Sequence, residues 1–185
     1  MAHYFLAVAI PNELQTFYEE WKEELEPFFP YKRWTAKEDL HITLAFLGKV
    51  DKEQLQKLVE ELRTIDDFPS FPLTLGGLGT FGEKARPRVL FVDVQQNEQL
   101  AELKQQIVVR TEKIGIPSDQ RPYRPHVTLG KKWNGRDKLP QGKLQMLKEK
   151  YSIDKQFNVM SFTLFQIHPQ QVPSYEAAVD FPLKA

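Results

Sequence analysis

The sequence predicts a mixed strand-and-helix fold built as two lobes about a pseudo-two-fold axis, with a cleft where the lobes meet. Three observations predict it. Short apolar runs of strand composition alternate with segments of helical periodicity. The two halves of the chain share one order of elements. Each half carries a strand containing His-x-Thr-Leu.

Taken in order, Tyr4–Ile10 is an apolar run of strand formers ended by Pro11. Asn12 opens a helix, with Gln15 three residues later as in a capping box. Leu14, Phe17, Tyr18, Trp21 and Leu25 give that helix one apolar face, and Pro27 and Pro30 end it. His41–Leu47 is a strand broken by Gly48. Asp51 caps a second helix with Leu55, Leu58, Val59 and Leu62 on its inner face. Phe71–Leu75 reads as a strand and the glycine-rich stretch from Gly76 to Pro87 as a loop. Val89–Val94 is a strand, and Leu100, Leu103, Ile107, Val108 and Ile114 line a third helix. Three prolines between Ile116 and Pro125 mark a loop before the strand His126–Gly130. Leu144 and Leu147 sit on a short helix, and Phe157–Ile167 and Tyr175–Phe181 close the chain as strands. The charges between 132 and 150 form a solvated face.

His41 and His126 are 85 positions apart, and a shift of 85 lays one half on the other. Leu6 then falls on Phe91, Ala7 on Val92, Asn12 on Asn97, Ile42 on Val127, Leu44 on Leu129, Val59 on Leu144 and Leu62 on Leu147. Identity is low but the order of elements is kept. Two copies are too few for a solenoid, so the expectation is one bilobal domain over 1–185, with duplicated halves at roughly 1–85 and 86–185.

Composition narrows the function. The chain has 185 residues, 41% hydrophobic and 27% charged, which suits a globular domain. Its 25 basic and 25 acidic side chains cancel, unlike those of a protein that coats a nucleic-acid duplex. With no cysteine, thiolate catalysis and Cys-ligated metals are excluded. No apolar run approaches the ~18–20 residues of a membrane span. The opening MAHYFLAVAIPNEL has neither a basic start nor a small-residue cleavage site. The expected location is the cytoplasm, with no membrane partner.

Strand alternation sets Ile42, Leu44 and Phe46 on one face and His41, Thr43 and Ala45 on the other. In the second copy Val127 and Leu129 oppose His126, Thr128 and Gly130. Small Ala45 and Gly130 beside each His–Thr pair are expected to leave room for a ligand. Two imidazoles and two hydroxyls at one cleft suit phosphate-ester chemistry. Histidine titrates near ~6.5, so one ring can accept a proton while the other donates one. Hydroxyls can donate to phosphate oxygens as charge develops. A two-His metal site is the rival, but zinc takes three or four ligands and no third is evident. His3 and His168 read as surface or turn residues.

These motifs resemble those of the 2H phosphoesterase superfamily. Arg33-Trp34 with Asp39-Leu40-His41-Ile42-Thr43-Leu44-Ala45-Phe46-Leu47-Gly48 resembles the first signature of the RNA 2′,3′-cyclic phosphodiesterases, also called 2′–5′ RNA ligases. Pro87-Arg88-Val89-Leu90-Phe91 resembles their central strand. Tyr123-Arg124-Pro125-His126-Val127-Thr128-Leu129-Gly130 resembles the second signature. The similarity runs from Tyr4 to Phe181. It implies an α+β fold of two lobes, each an antiparallel sheet with flanking helices, facing across a catalytic cleft. It also implies hydrolysis of a 2′,3′-cyclic phosphate to a 2′-phosphate, with no metal or cofactor.

On this reading His41 is the proton donor, His126 the proton acceptor, and Thr43 and Thr128 steady the phosphate. Members of the family often carry arginine five positions after the second histidine. Here that position is Lys131, whereas strand parity favours Lys132 for the cleft face. Phe81, Arg88, Tyr123 and Arg124 are candidates to hold the nucleobase, and Trp34 reads as core. The expected partners are RNA 3′ ends bearing 2′,3′-cyclic phosphate, as tRNA-like fragments or short oligonucleotides, bound by a monomer. Reverse 2′–5′ ligation is a possible side activity. The rivals are a phosphodiesterase for a small cyclic nucleotide or an ADP-ribose cyclic phosphate, and an RNA-binding module without turnover.

Overall fold

A computed structural model describes all residues, Met1–Ala185. Nine strands and four helices follow in the order β1 (Ala2–Ala9), α1 (Asn12–Leu25), β2 (Tyr31–Trp34), β3 (His41–Val50), α2 (Lys52–Leu62), β4 (Phe71–Gly82), β5 (Pro87–Val94), α3 (Glu98–Lys113), β6 (His126–Trp133), α4 (Lys143–Lys150), β7 (Lys155–Val159), β8 (Ser161–Ile167) and β9 (Tyr175–Pro182). The strand order is β7-β4-β5-β6-β3-β1-β8-β9, with β2 added on β6. All the paired strands are antiparallel. The fold is α+β.

The pseudo-two-fold axis passes between β3 and β6, which meet at one pair, Ile42 opposite Val127. On either side lie four strands: β3-β1-β8-β9 and β6-β5-β4-β7. The lobes do not coincide with the sequence halves. β4 belongs to the first half of the chain but pairs with β5, and β8 belongs to the second half but pairs with β1. Each half lends a strand to the other lobe, so neither half closes a sheet alone. The register also refines the 85-residue shift. Ala7 sits opposite Thr43 as Phe91 sits opposite Thr128, so the outer strands match at 84.

Local chemistry explains where the sequence reading holds and where it does not. Asp51 caps α2, accepting from Gln54 N at 2.8 Å, and Asn97 caps α3, accepting from Leu100 N at 2.9 Å. Each cap contributes about 1 kcal/mol. Asn12 is no cap: extended Pro11 takes that place, and the Gln15 amide reaches back to the Ile10 carbonyl at 2.9 Å. Of the loop predicted from Gly76 to Pro87, the part up to Gly82 is instead the second half of β4, and only residues 83–86 link it to β5. Its glycines permit close approach; a Cβ at Gly79 would lie 2.4 Å from the Phe91 ring, and one at Gly77 would lie 2.8 Å from the Tyr151 carbonyl oxygen. β3 runs on through Gly48, whose φ of +69° accommodates an irregular register. The strand expected over Phe157–Ile167 is two, separated at Met160, and β2 is too short to show a period in the sequence.

Candidate active site

Two matching β-bulges shape the centre of the sheet. In β3, Thr43 pairs with Ala7 and Ala45 with Leu6, which leaves Leu44 unmatched. In β6, Thr128 pairs with Phe91 and Gly130 with Leu90, which leaves Leu129 unmatched. An extra residue on one strand resets the alternation of faces. Phe46, expected inside, is 62% exposed, whereas Leu47 is buried. The same shift decides between the lysines: Lys131 is half-buried and its charge acts on His41, and Lys132 is exposed at φ +66°.

The antiparallel register that sets Ile42 against Val127 sets His41 against Thr128 and Thr43 against His126. Both histidines are held alike. His41 Nδ1 donates to the Asp39 carbonyl at 2.6 Å and His126 Nδ1 donates to the Arg124 carbonyl at 2.8 Å. A carbonyl only accepts, so Nδ1 carries the proton in the neutral ring and Nε2 is left basic. His41 Nε2 accepts from the Thr43 hydroxyl at 3.0 Å. His126 is bonded through Nδ1 alone, and its Nε2 has no protein partner.

The surroundings differ. His41 packs against Phe5 at 4.8 Å and Tyr175 at 5.2 Å between ring centroids. Burial pushes its pKa down to about 4, against the pull of the Asp39 carbonyl and with the help of the His126 and Lys131 charges. Hence His41 is neutral in the free protein at neutral pH. His126 lies against Phe81 and Phe91, each at 5.1 Å. Lys131 is held below its ordinary value by burial and by the Arg33 and Lys132 charges. Arg33 faces Lys131 across the β2–β6 register. Neither cation has an acidic partner among the ion pairs of the fold. Two unpaired cations side by side, with Lys131 acting on His41, suit an anion.

The base-binding candidates separate. The Tyr123 hydroxyl donates to the Thr43 carbonyl at 2.8 Å, and Lys104 covers its ring at 4.4 Å, so this tyrosine braces β3. Lys104 also donates to the Leu44 carbonyl at 2.8 Å. Arg124 lies over Phe81 at 5.1 Å, packed beside His126. Phe81, Arg88, Arg124 and Tyr123 itself line a groove of about 630 Å³ that begins at Thr43 and His126 and runs past Phe46 toward α3. Trp34 is half-buried against Tyr31. The ligand space expected at Gly130 is not there: a Cβ on it would come within 2.8 Å of the Tyr31 ring. Ala45 does line the groove. His3 is exposed, and His168 lies in the β8–β9 turn, paired with Glu176 at 2.9 Å. No three His, Asp or Glu side chains are grouped to hold a metal ion.

Sequence reasoning missed Tyr175, Arg33, Lys104 and Asp39 as parts of this site. Arg33 and Asp39 lie within the first motif, so only their roles were hidden. Tyr175 and Lys104 come from distant segments and carry no local signal.

The family model described as the 2′-5′ RNA ligase superfamily matches residues 10–170. The chain belongs to that superfamily. Relatives of it named RNA 2′,3′-cyclic phosphodiesterase include one from Geobacillus stearothermophilus, 32% identical over 183 residues, and one from Bacillus subtilis (strain 168), 34% identical over 189. Both matches cover 98% of this chain. They cover 57% of the first relative's length, so the chain spans little more than half of that protein, and 96% of the second's. Two solved structures share the superfamily fold. One is E. coli LigT complexed with 3′-AMP, at a TM-score of 0.80 and 24% identity over 100% of this chain and 99% of that one. The other is TT0787 of Thermus thermophilus, at 0.81 and 23% over 97% of each chain.

Proposed function

We propose that this protein is an RNA 2′,3′-cyclic phosphodiesterase that opens the cyclic phosphate at an RNA 3′ end to leave a 2′-phosphate. The observation that carries the reading is the square of His41, Thr43, His126 and Thr128 about the Ile42–Val127 pair, with both imidazoles held through Nδ1. The Bacillus subtilis relative named for this activity, matched over 96% of its length, supports it.

His126 Nε2 takes a proton from water as the water oxygen attacks phosphorus. The bond from phosphorus to the 3′ oxygen breaks, and His41 Nε2–H gives that oxygen its proton. His41 must first gain the proton. The anionic phosphate offsets the two effects that hold its pKa down, burial and neighbouring positive charge. Protonation has a second consequence. Once Nε2 carries a proton it no longer accepts from Thr43, so the Thr43 hydroxyl hydrogen is released to donate to a phosphate oxygen and the Nε2 proton is left for the 3′ oxygen. Thr128 donates from the other strand, while Lys131 and Arg33 supply positive charge. The nucleoside lies in the groove beside Phe81, Arg88 and Arg124. Substrates are short oligonucleotides or tRNA-like fragments, met by a monomer in the cytoplasm. With a 5′-hydroxyl in place of water as the nucleophile, the same acid and base join the two ends in a 2′–5′ link.

The test is product analysis on an oligonucleotide ending in 2′,3′-cyclic phosphate, with EDTA present. A 2′-phosphate is expected. A 3′-phosphate, or turnover lost in EDTA and restored by zinc or magnesium, overturns the mechanism.

A further inference from the structure

The Asp39 carboxylate belongs to a residue only 5% exposed, yet no lysine or arginine pairs with it. A buried charge without compensation is costly. Its compensation comes from the far end of the chain, where the carboxylate accepts from Ser174 N at 2.7 Å and from Tyr175 N at 3.1 Å. These bonds fasten the start of β9 to the turn that enters β3. The same residue's carbonyl holds His41 Nδ1 at 2.6 Å. Tyr175, seated by the second bond, meets the His41 ring edge-on at 5.2 Å, and Phe5 contacts both rings at 4.8 Å.

We propose that Asp39 is a positioning residue for His41: its carbonyl fixes the tautomer, and its carboxylate holds in place the tyrosine that orients the ring and keeps water from it. The other copy has no such device. The Arg124 carbonyl holds His126, but the Arg124 side chain lies over Phe81 and Phe91 instead of gripping a second segment. The groups that face His41 are Thr43 of β3, Phe5 of β1, His126 and Lys131 of β6 and Tyr175 of β9. Of these Lys131 is the lysine whose charge acts on His41. The Tyr175 phenol, pushed up by burial and by Asp39, stays neutral. The tyrosine is therefore an apolar cover, and its removal should let His41 protonate more readily.

The inference rests on the phosphodiesterase reading for its kinetic arm alone. Asp39→Asn offers one acceptor oxygen where two are used and turns an NH₂ toward a backbone N–H. Tyr175→Ala keeps both N–H donors and removes only the ring. The measurements are the NMR titration of each histidine, the melting temperature, and kcat and KM on the cyclic-phosphate oligonucleotide. For Asp39→Asn, kcat should fall roughly ten- to hundred-fold with KM changed less than about threefold, the range for losing hydrogen bonds to a charged group. The His41 midpoint should rise from about 4 toward the ordinary histidine value, while the His126 midpoint keeps its wild-type position. Tyr175→Ala should reproduce the rise. A folded Asp39→Asn protein whose His41 titrates as in the wild type overturns the proposal. If Asp39→Asn does not fold, an unmoved His41 midpoint in Tyr175→Ala overturns it. A wild-type protein without turnover defeats the phosphodiesterase reading, and the titrations still decide this one.

Discussion

The two His-x-Thr strands are copies in sequence and in backbone, down to a bulge at the same leucine, yet they hold their histidines in unlike surroundings. His41 is covered by Phe5 and Tyr175, has its Nε2 on Thr43, and titrates near 4. His126 has a free Nε2 at the head of the groove. The positions after the threonines differ as well: Ala45 opens onto that groove, while Gly130 is filled by Tyr31 and Trp34. The symmetry of the backbone supplies two imidazoles held alike through Nδ1. Unequal cover from β2, β9 and α3 then makes one end a guarded imidazole beside cations and the other an open base. Acid and base roles demand such inequality, because two histidines with one protonation behaviour cannot be held in opposite states.

His41→Ala and His126→Ala should each lower kcat/KM by roughly 10²–10⁴-fold. The double variant should be little worse than either single, since the two act as a unit. Steady-state kinetics on the cyclic-phosphate oligonucleotide checks this, and a single variant with near-wild-type activity removes that histidine from the mechanism.

The lowered pKa of His41 has a consequence for stability. Native His41 refuses a proton that the unfolded chain accepts below about 6.5, so its contribution is full above that pH and is lost as the pH falls toward about 4. The difference corresponds to at most roughly 3 kcal/mol. Denaturant unfolding of wild type and His41→Gln from pH 7 to 4 should show wild type losing stability relative to the variant by up to that amount. Parallel curves would mean that His41 titrates normally.

Thr43→Val and Thr128→Val keep shape and β-branching and remove only a hydroxyl. Each should cost roughly ten- to hundred-fold in kcat/KM, with the larger loss at Thr43, which also contacts His41. Unchanged rates would make both threonines scaffold. The smallest contrast lies in the lysines. Lys131→Met should raise KM and move the His41 midpoint upward by removing a neighbouring positive charge, whereas Lys132→Met should do neither. Equal effects from the two would show that the bulge does not decide which lysine faces the site.

Much of this was legible in the sequence because it is local. The His-x-Thr-Leu copies, the cap at Asp51 and the apolar faces of the helices are written in a few neighbouring residues each, and strand alternation placed both histidines opposite their core faces. The glycines of β4 misled because a glycine that permits close packing and a glycine that permits a turn look the same in one dimension. The bulges misled for a related reason: Leu44 and Leu129 read as ordinary core positions, and only pairing with β1 and β5 shows that each is an extra residue. Phe46, Lys131 and Gly130 lie beyond those bulges, where parity counting points to the wrong face.

By itself, then, the sequence determined the two strands, the four side chains at the centre, the chemistry they can perform and the family they belong to, since residue types at short spacing carry all of that. The exchange of β4 and β8 between lobes, the cover over His41, the bracing of β3 by Tyr123 and Lys104 and the grip of Asp39 on a segment 135 residues away were decided only by the tertiary structure. Each depends on contacts between segments far apart in the chain. A proton's preference for one imidazole is set by burial and by neighbouring charge, and both arise only when those segments meet.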